Sequence, residues 1–239
     1  MYKYHAIYDT LGDATMLATT ACLMVYFNFQ KTTEGFSVRS QWLVALAFVT
    51  RYARLFILPI NLYDVIMNSA TTSIIILTML TMIIMYPPSK DQQSKDTFRH
   101  FTLVLGATIG TVFVHDKDFN YANVLRAFAN YVDALAMVPQ IHLMSNYTNT
   151  SYANAYFYMC GILQCKVFYL LEHICRYYLL NSYNLIDVLP TIFQILLLLD
   201  CFWEGLARYL KKNPNDEQNE AIGKPQEDDS PPPYDAIIL

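Results

Sequence analysis

Two arginines, Arg51 and Arg54, end an otherwise apolar and aromatic-rich stretch at 40–56. A separation of three residues puts both guanidinium groups on one face of a helix. An arginine at membrane depth is costly, so it usually faces a bundle interior or a wet cavity and has an anionic partner. The alternative is snorkelling to the lipid headgroups, which suits Arg54 better than Arg51 because Arg54 lies nearer the helix end. We therefore expect Arg51 to meet a carboxylate.

Other apolar stretches also carry charged residues, and these cannot all face lipid. They are Arg126, Lys166, Arg176, Asp133, Glu172, Asp187 and Asp200. With Arg51, two of these cations, Lys166 and Arg176, predict a basic cavity, offset by Asp133 and Asp200. Such a cavity suits a small anion or a peptide carboxylate. A purely structural network of ion pairs is the alternative.

The composition places these residues in a membrane protein. Hydrophobic residues make up 54% of the 239 residues and charged residues only 15%, which is too apolar for a soluble domain. The formal net charge is −4, and no strongly basic surface suggests nucleic acid. The chain is therefore predicted to be an all-α polytopic membrane protein.

Since a spanning helix needs about 20 residues, the apolar runs predict seven transmembrane helices. These are 9–29, 40–58, 62–86, 98–114, 121–144, 152–179 and 185–206. The loops on one side are richer in lysine and arginine, which makes that side cytosolic. The N-terminus is then lumenal and the C-terminus cytosolic. The glycosylation acceptor patterns at Asn146 and Asn149 lie on the cytosolic side and should stay unmodified.

The composition changes after Lys212. We expect a membrane domain at 1–212 and a disordered acidic tail at 213–239, because the tail is rich in Pro, Asp, Glu, Gln and Asn. The tail contains the motif Pro231, Pro232, Pro233 and Tyr234. A proline run before tyrosine favours a polyproline II segment that a WW domain can bind. Tyr234 also begins a tyrosine-based sorting pattern, and a solvated tail without a partner is the alternative.

The sequence argues against an enzyme, a cofactor or a metal. It has no Ser-His-Asp, His-Glu-x-x-His or phosphate-loop pattern. Glu172 and His173 are adjacent, so we expect them to point to different helix faces and to make a poor acid–base pair. The five cysteines lie in apolar runs without metal-ligand spacing, which favours buried, inert thiols.

Several short motifs occur in a fixed order along the membrane part. They are Leu11-Gly12-Asp13, GFSVRSQ at 35–41, FVTRYARLF at 48–56, DTFR at 96–99, YVD at 131–133, VPQ at 138–140, Arg176-Tyr177 and DCF at 200–202. In this order the motifs resemble the ER lumen protein-retaining receptors, the KDEL receptors. The resemblance implies seven helices in two three-helix repeats joined by a linking helix, as in the SWEET and PQ-loop proteins.

The resemblance also implies a function. Such a receptor binds C-terminal KDEL or HDEL tetrapeptide signals of lumenal proteins in the Golgi and returns them to the ER. Arg51 and Tyr52 would hold the terminal carboxylate. Other positions match polar residues of the family core: Asp133, Tyr169, Arg176, Asp200 and Lys166, the last in place of an arginine. Lys211 and Lys212 stand where the family carries a lysine cluster read by the coat machinery.

The chain departs from the family at several positions that would contact or sense the signal. Its residues there are Asp9 for an arginine, Met16 for a histidine, Arg54 for an aspartate, Arg126 for a tryptophan, and Asn123 and Asn184 for acidic residues. The carboxylate anchor is kept, while much of the specificity and pH-sensing set is altered. Any pH dependence would then come from His115, His173 or a shifted carboxylate.

Two other functions remain open from the sequence. Pro139-Gln140 stands where PQ-loop proteins place a hinge, so a small-solute transporter is one, and the intramembrane charges favour an anion as its solute. The other is a membrane adaptor whose tail recruits a WW-domain protein.

Overall fold

The fold was obtained as a computed structural model that describes residues 3–53, 62–113, 121–146, 153–181 and 185–211. Within these ranges the chain is helical and contains no strand. The helices are α1 Lys3–Gln30, α2 Val38–Ala53, α3 Leu62–Leu80, α4 Lys90–Lys95, α5 His100–Phe113, α6 Tyr121–Leu135, α7 Val138–Ser145, α8 Ala153–Leu180 and α9 Leu185–Lys211. The chain divides into two compact units, Met1–Cys201 and Phe202–Leu239. The first unit holds all the tertiary contacts discussed below. In the second, the described residues are the end of α9.

Among the described residues, three helical stretches are long and apolar enough to cross a membrane: Ile7–Gln30, Val65–Met85 and Leu185–Ala207. A shorter apolar stretch, His100–Val112, lies in α5. The prediction of a helical protein with several apolar helices is confirmed. The count of seven spans stays a prediction, since α2 has 16 described residues and α6 has 15.

The predicted span at 62–86 contains the apolar helical stretch Val65–Met85. Its last turn, Thr81–Met85, is π-helical and is closed by a bond from Tyr86 N to Thr81 O (3.0 Å). Two other local features differ from the prediction. The polar loop at 89–95 contains the short helix α4, capped by the Ser89 side chain. The fifth predicted span is broken into α6 and α7. There Pro139 lacks an N–H and its ring would clash with the carbonyl four residues earlier.

The helices of the first unit pack as a chain of neighbours. Helix α1 packs on α8 and α3, α3 packs on α2, and α6 packs on α2 and α5. The buried face of α6 carries short side chains. Ala122, Ala127, Ala129 and Ala134 are each 3% exposed or less. Small residues let helix backbones approach closely in a membrane bundle. As a result α2 and α6, which carry Arg51 and Asp133, lie side by side.

A buried polar cluster fixes the start of α2. Ser37 donates its N–H to Gln140 Oε1 (2.8 Å) and its hydroxyl to Asp96 Oδ2 (3.0 Å). Gln140 in turn donates Nε2 to the carbonyl of Gly35 (2.7 Å), a turn residue with φ 85°. Ser37 and Gln140 are each 0% exposed. Because a buried polar group is costly without a partner, these bonds hold the α1–α2 connection against α7.

Helices α1 and α8 run antiparallel and touch through two glycines. A Cβ at Gly12 would lie 2.6 Å from Tyr169, and one at Gly161 would lie 2.4 Å from Thr19 Oγ1. Cys165 Sγ donates to the carbonyl of Gly12 (3.3 Å), between these two contacts. Facing residues of α1 and α8 therefore have numbers that add up to about 180, which places Asp9 beside about residue 171.

This contact predicts a position-specific cost. Gly161→Ala should destabilise the protein by about 1–3 kcal/mol through overpacking against Thr19, and thermal unfolding in detergent measures it. Gly106→Ala is the matched control, because a Cβ there has no neighbour within 4 Å. An equal melting temperature for the two variants would contradict the close α1–α8 contact.

Candidate ligand-binding cavity

The site is built around the carboxylate of Asp133, which is 4% exposed on α6. Lys166 of α8 donates Nζ to Asp133 Oδ2 at 2.6 Å. Arg51 of α2 donates Nη2 to the same oxygen at 3.3 Å. Two cations from two helices thus share one carboxylate oxygen. The prediction that Arg51 meets a carboxylate is confirmed, and its partner is Asp133.

The surroundings of this inner cluster, Arg51, Asp133 and Lys166, are arranged to hold charge. Lys166 is only 6% exposed, and its Nζ lies 5.7 Å from the centroid of the Tyr169 ring. The Tyr169 hydroxyl donates to Asp13 Oδ1 on α1 (2.7 Å). A buried charge left unpaired is strongly destabilising, whereas a paired and hydrogen-bonded one is tolerated. The cluster therefore joins α2, α6 and α8, and the Tyr169–Asp13 bond beside it adds α1.

Asn130 connects the inner cluster to α9. Its Oδ1 accepts from Arg51 Nη2 (3.2 Å), and its Nδ2 donates to Asp187 Oδ1 (2.7 Å). Asp187, 5% exposed, also forms an ion pair with Arg126. Residues 126, 130 and 133 are spaced by four and three, so they lie on one face of α6. One hydrogen-bonded network thus runs from α9 through α6 to α2 and α8.

A second group of charges lies on α8 about one to three turns beyond Lys166. Glu172, 3% exposed, contacts His173 Nδ1 (2.9 Å) and Arg176 Nη2 (2.5 Å). The expectation that Glu172 and His173 point apart is wrong, because the glutamate side chain is long enough to reach its neighbour's ring. The side chain of Arg176 is 37% exposed against 7% for Lys166. This part of α8 therefore lies nearer the surface.

These side chains enclose one cavity of about 370 Å³. Its lining residues come from α1, α2, α3, α6, α8 and α9 and are almost all polar. They are Asp9, Asp13, Arg51, Asn68, Arg126, Asn130, Asp133, Lys166, Tyr169, Glu172, His173, Arg176, Asp187, Pro190, Thr191 and Gln194. The predicted basic cavity is corrected to one of mixed charge, because Asp9, Asp13, Glu172 and Asp187 also line it.

The structure brings five of the seven predicted ligand-binding residues to this cavity: Arg51, Asp133, Lys166, Tyr169 and Arg176. Asp200 does not line it and is exposed on α9, and Tyr52 is half-buried on α2 outside the lining. Met16, at the position where the resemblance implies a histidine, is a core residue at 3% exposure. Lys211 is the last residue of α9. Arg54, Asn184, Lys212 and Pro231 to Tyr234 lie outside the described residues.

The sequence reasoning missed the neutral lining residues and the pairing of Arg126 with Asp187. Asn130 was missed although it precedes Asp133 by three residues, a spacing that puts both side chains on one helix face. No local pattern pairs Arg126 with Asp187, which are 61 residues apart. Among the described residues, no group of three His, Cys, Asp or Glu side chains is placed to hold a metal ion.

A sequence model of the ER lumen protein retaining receptor family matches residues 32–176, more than half of the chain. The chain belongs to this family. It is 30% identical over 203 residues to an ER lumen protein-retaining receptor of Petunia hybrida, covering 82% of this chain and 92% of that protein. It is 29% identical over 206 residues to receptor 3 of Xenopus laevis (86% and 94%) and 28% identical over 206 residues to receptor 2 of Homo sapiens (86% and 95%).

The family match extends over most of the cavity. Residues 32–176 include Arg51, Asp133, Lys166 and Arg176, which come from three of the helices that line it. The aspartates of α1 and α9, Asp9, Asp13 and Asp187, lie outside the matched residues. The family resemblance drawn from the ordered motifs is thus confirmed.

The shared carboxylate predicts a large loss of stability in one variant. Asp133→Asn leaves Lys166 and Arg51 without their common partner. The free energy of unfolding in detergent should therefore fall by about 3–5 kcal/mol. Adding Lys166→Met should recover part of this loss, because one buried charge is removed with its counter-charge.

The matched control is Asp91→Asn, which breaks the exposed Asp91–Lys95 pair of α4 (2.7 Å). Surface pairs contribute about 0–1 kcal/mol, so this variant should stay near the parent. If Asp133→Asn were as stable as Asp91→Asn, the inner cluster would not be a buried, coupled charge network.

Proposed function

We propose that this protein is a receptor for C-terminal retention signals of the KDEL or HDEL type, carried by lumenal proteins. Family membership supports this function over that of a solute transporter. The observation that carries it at the site is the sharing of Asp133 by Arg51 and Lys166. Two cations that share one carboxylate place charged hydrogen-bond donors at the inner end of the cavity, and a peptide's terminal carboxylate is an anion that such donors suit.

Arg51 and Lys166 are the proposed anchors of the terminal carboxylate. Both hydrogen bonds of Arg51 to Asp133 and Asn130 use Nη2, so a ligand carboxylate approaches the Nη1 or Nε side of the planar guanidinium. Tyr169 and Arg176 line the path along α8 that the preceding peptide residues follow. Tyr52 and Asp200 lie outside the lining, which favours a supporting role for them.

We propose the family architecture for the membrane domain: seven spans in two three-helix repeats, within 1–212. The protein would be a multi-pass membrane protein of the ER and Golgi with a lumenal N-terminus. The neighbour relations of α1, α2, α3, α5, α6 and α8 support a bundle with a polar cavity between its helices. Charges enclosed in this way meet one another rather than lipid.

The anchoring role predicts the effect of one substitution. Arg51→Gln should reduce the affinity for a labelled Lys-Asp-Glu-Leu peptide by about 100-fold, since a charge-assisted pair with a carboxylate is lost and only Lys166, itself paired with Asp133, is left to compensate the buried ligand charge. Fluorescence anisotropy with the purified full-length protein measures this.

Arg99→Gln removes the same charge from an exposed residue outside the cavity and serves as control. It should bind as the parent protein does. Equal binding by the Arg51→Gln and Arg99→Gln proteins would exclude Arg51 as the anchor.

For 213–239 we propose a cytosolic tail whose Pro231–Tyr234 motif recruits a WW-domain protein or a sorting adaptor. The proposal is supported by the sequence, in which a proline run precedes the tyrosine. Tyr234→Ala should abolish binding of an isolated WW domain to the full-length protein and change its distribution in cells. Unchanged partners and unchanged distribution would contradict this role. Peptide binding in the cavity should be the same in the Tyr234→Ala variant and the parent protein.

A further inference from the structure

The guanidinium group of Arg51 is held at a single nitrogen by two acceptors. Its Nη2 donates to Asp133 Oδ2 at 3.3 Å and to Asn130 Oδ1 at 3.2 Å. One nitrogen can serve both acceptors because Nη2 carries two N–H groups in the guanidinium plane. Within the described part of the chain, the hydrogen bonds of Arg51 use neither Nη1 nor Nε. These two donors are therefore the ones that a ligand carboxylate can meet.

Asn130 explains why Arg51 meets Asp133 through one donor only. An arginine and a carboxylate favour a bidentate pair, in which two parallel N–H groups point at the two carboxylate oxygens. The Asn130 amide oxygen lies on the same face of α6 as Asp133, three residues away, and draws Nη2 toward itself. Without this oxygen the guanidinium is free to turn and to pair with Asp133 through a second donor. That donor would then be lost to a ligand.

The orientation of the Asn130 amide is itself set from α9. Its Nδ2 donates to Asp187 Oδ1 at 2.7 Å. A carboxylate only accepts hydrogen bonds and a guanidinium only donates them, so the amide between Asp187 and Arg51 has one favourable orientation, with its oxygen toward Arg51. Asp187 is held in turn by its ion pair with Arg126. It also lies in the first turn of α9, where the helix dipole favours a negative charge.

We propose that Asn130 is a positioning residue for the carboxylate anchor, and that Asp187 sets the orientation of its amide. The inference rests on the proposed receptor function, because it concerns how Arg51 is presented to the peptide's terminal carboxylate. Asn130 and Asp187 are not among the residues that the family resemblance assigns to the signal. Both act through Arg51, so their effect on peptide binding depends on the guanidinium being present.

A double-mutant cycle tests whether Asn130 acts through Arg51. The affinity for a labelled Lys-Asp-Glu-Leu peptide is measured for the full-length parent protein, Asn130→Ala, Arg51→Gln and the double variant. Asn130→Ala should lower the affinity of the parent about tenfold, the order of effect of one hydrogen bond to a charged group. In the Arg51→Gln protein the same substitution should cause no further loss, because the group that it positions is absent.

Two results overturn the inference and leave the receptor function standing. One is an unchanged affinity in Asn130→Ala. The other is a double variant in which the two separate losses simply multiply, since Asn130 would then act independently of Arg51. If the parent protein itself does not bind the peptide, the proposed function fails and the inference with it.

A second variant keeps the test decisive if Asn130→Ala does not fold. Asp187→Asn is nearly isosteric and removes the charge that orients the Asn130 amide. The affinity should fall about threefold, less than for Asn130→Ala because the amide oxygen is still present, and the loss should again require Arg51. A loss of the same size with and without Arg51 would contradict positioning through the guanidinium.

Asn28→Ala is the matched control for removal of an amide. Asn28 is exposed on α1, donates Nδ2 to the carbonyl of Met24 in its own helix (2.8 Å) and does not line the cavity. It should leave the peptide affinity unchanged in the parent and in the Arg51→Gln protein. A loss equal to that of Asn130→Ala would show that removal of any amide weakens binding, and it would overturn the specific role of Asn130.

Discussion

One carboxylate organises the interior of this protein. Asp133 accepts from Lys166 and Arg51 at 2.6 and 3.3 Å while it is 4% exposed, so three helices depend on a single acidic side chain. In an apolar bundle each of these buried charges would be strongly destabilising without its partner, so the ion pairs are the arrangement of lowest free energy. The interaction sets which faces of α2, α6 and α8 point inward. It also creates the polar cavity in which a ligand can replace or share the ion pairs.

Two other packing features position the residues of this cluster. The glycines of α1 and α8 bring their backbones together, so Asp13 and Tyr169 meet beside Lys166. At the start of α2, Ser37, Asp96 and Gln140 fix the helix through buried hydrogen bonds, and α2 then delivers Arg51 to the cavity at its other end. Asn130 extends the network to Asp187 of α9. A binding event at Arg51 therefore touches a network that spans four helices.

Charged residues in apolar runs were the most informative feature of the sequence. They predicted a helical membrane protein, a carboxylate partner for Arg51 and five of the residues that line the cavity, since a charge in such a run has few places to go. The sequence did not predict which charged residues pair with each other. Arg126 and Asp187, for example, are 61 residues apart and meet only through tertiary packing. The same holds for Asp200, whose helix turns it to the surface. Pro139 was a signal for the break between α6 and α7, but the length of the apolar run at 121–144 favoured one long span.

The inner cluster is proposed to bind a peptide's terminal carboxylate. The most direct test uses the unmodified protein and one peptide in two forms, the free acid and the C-terminal amide, which differ only at the group that Arg51 and Lys166 are proposed to hold. Isothermal titration calorimetry in detergent or nanodiscs gives both affinities. We expect the acid to bind and the amide to bind at least 100-fold more weakly, since the amide lacks the negative charge that the two cations are proposed to hold. Equal affinities would contradict it and would leave the shared carboxylate of Asp133 as a purely structural device.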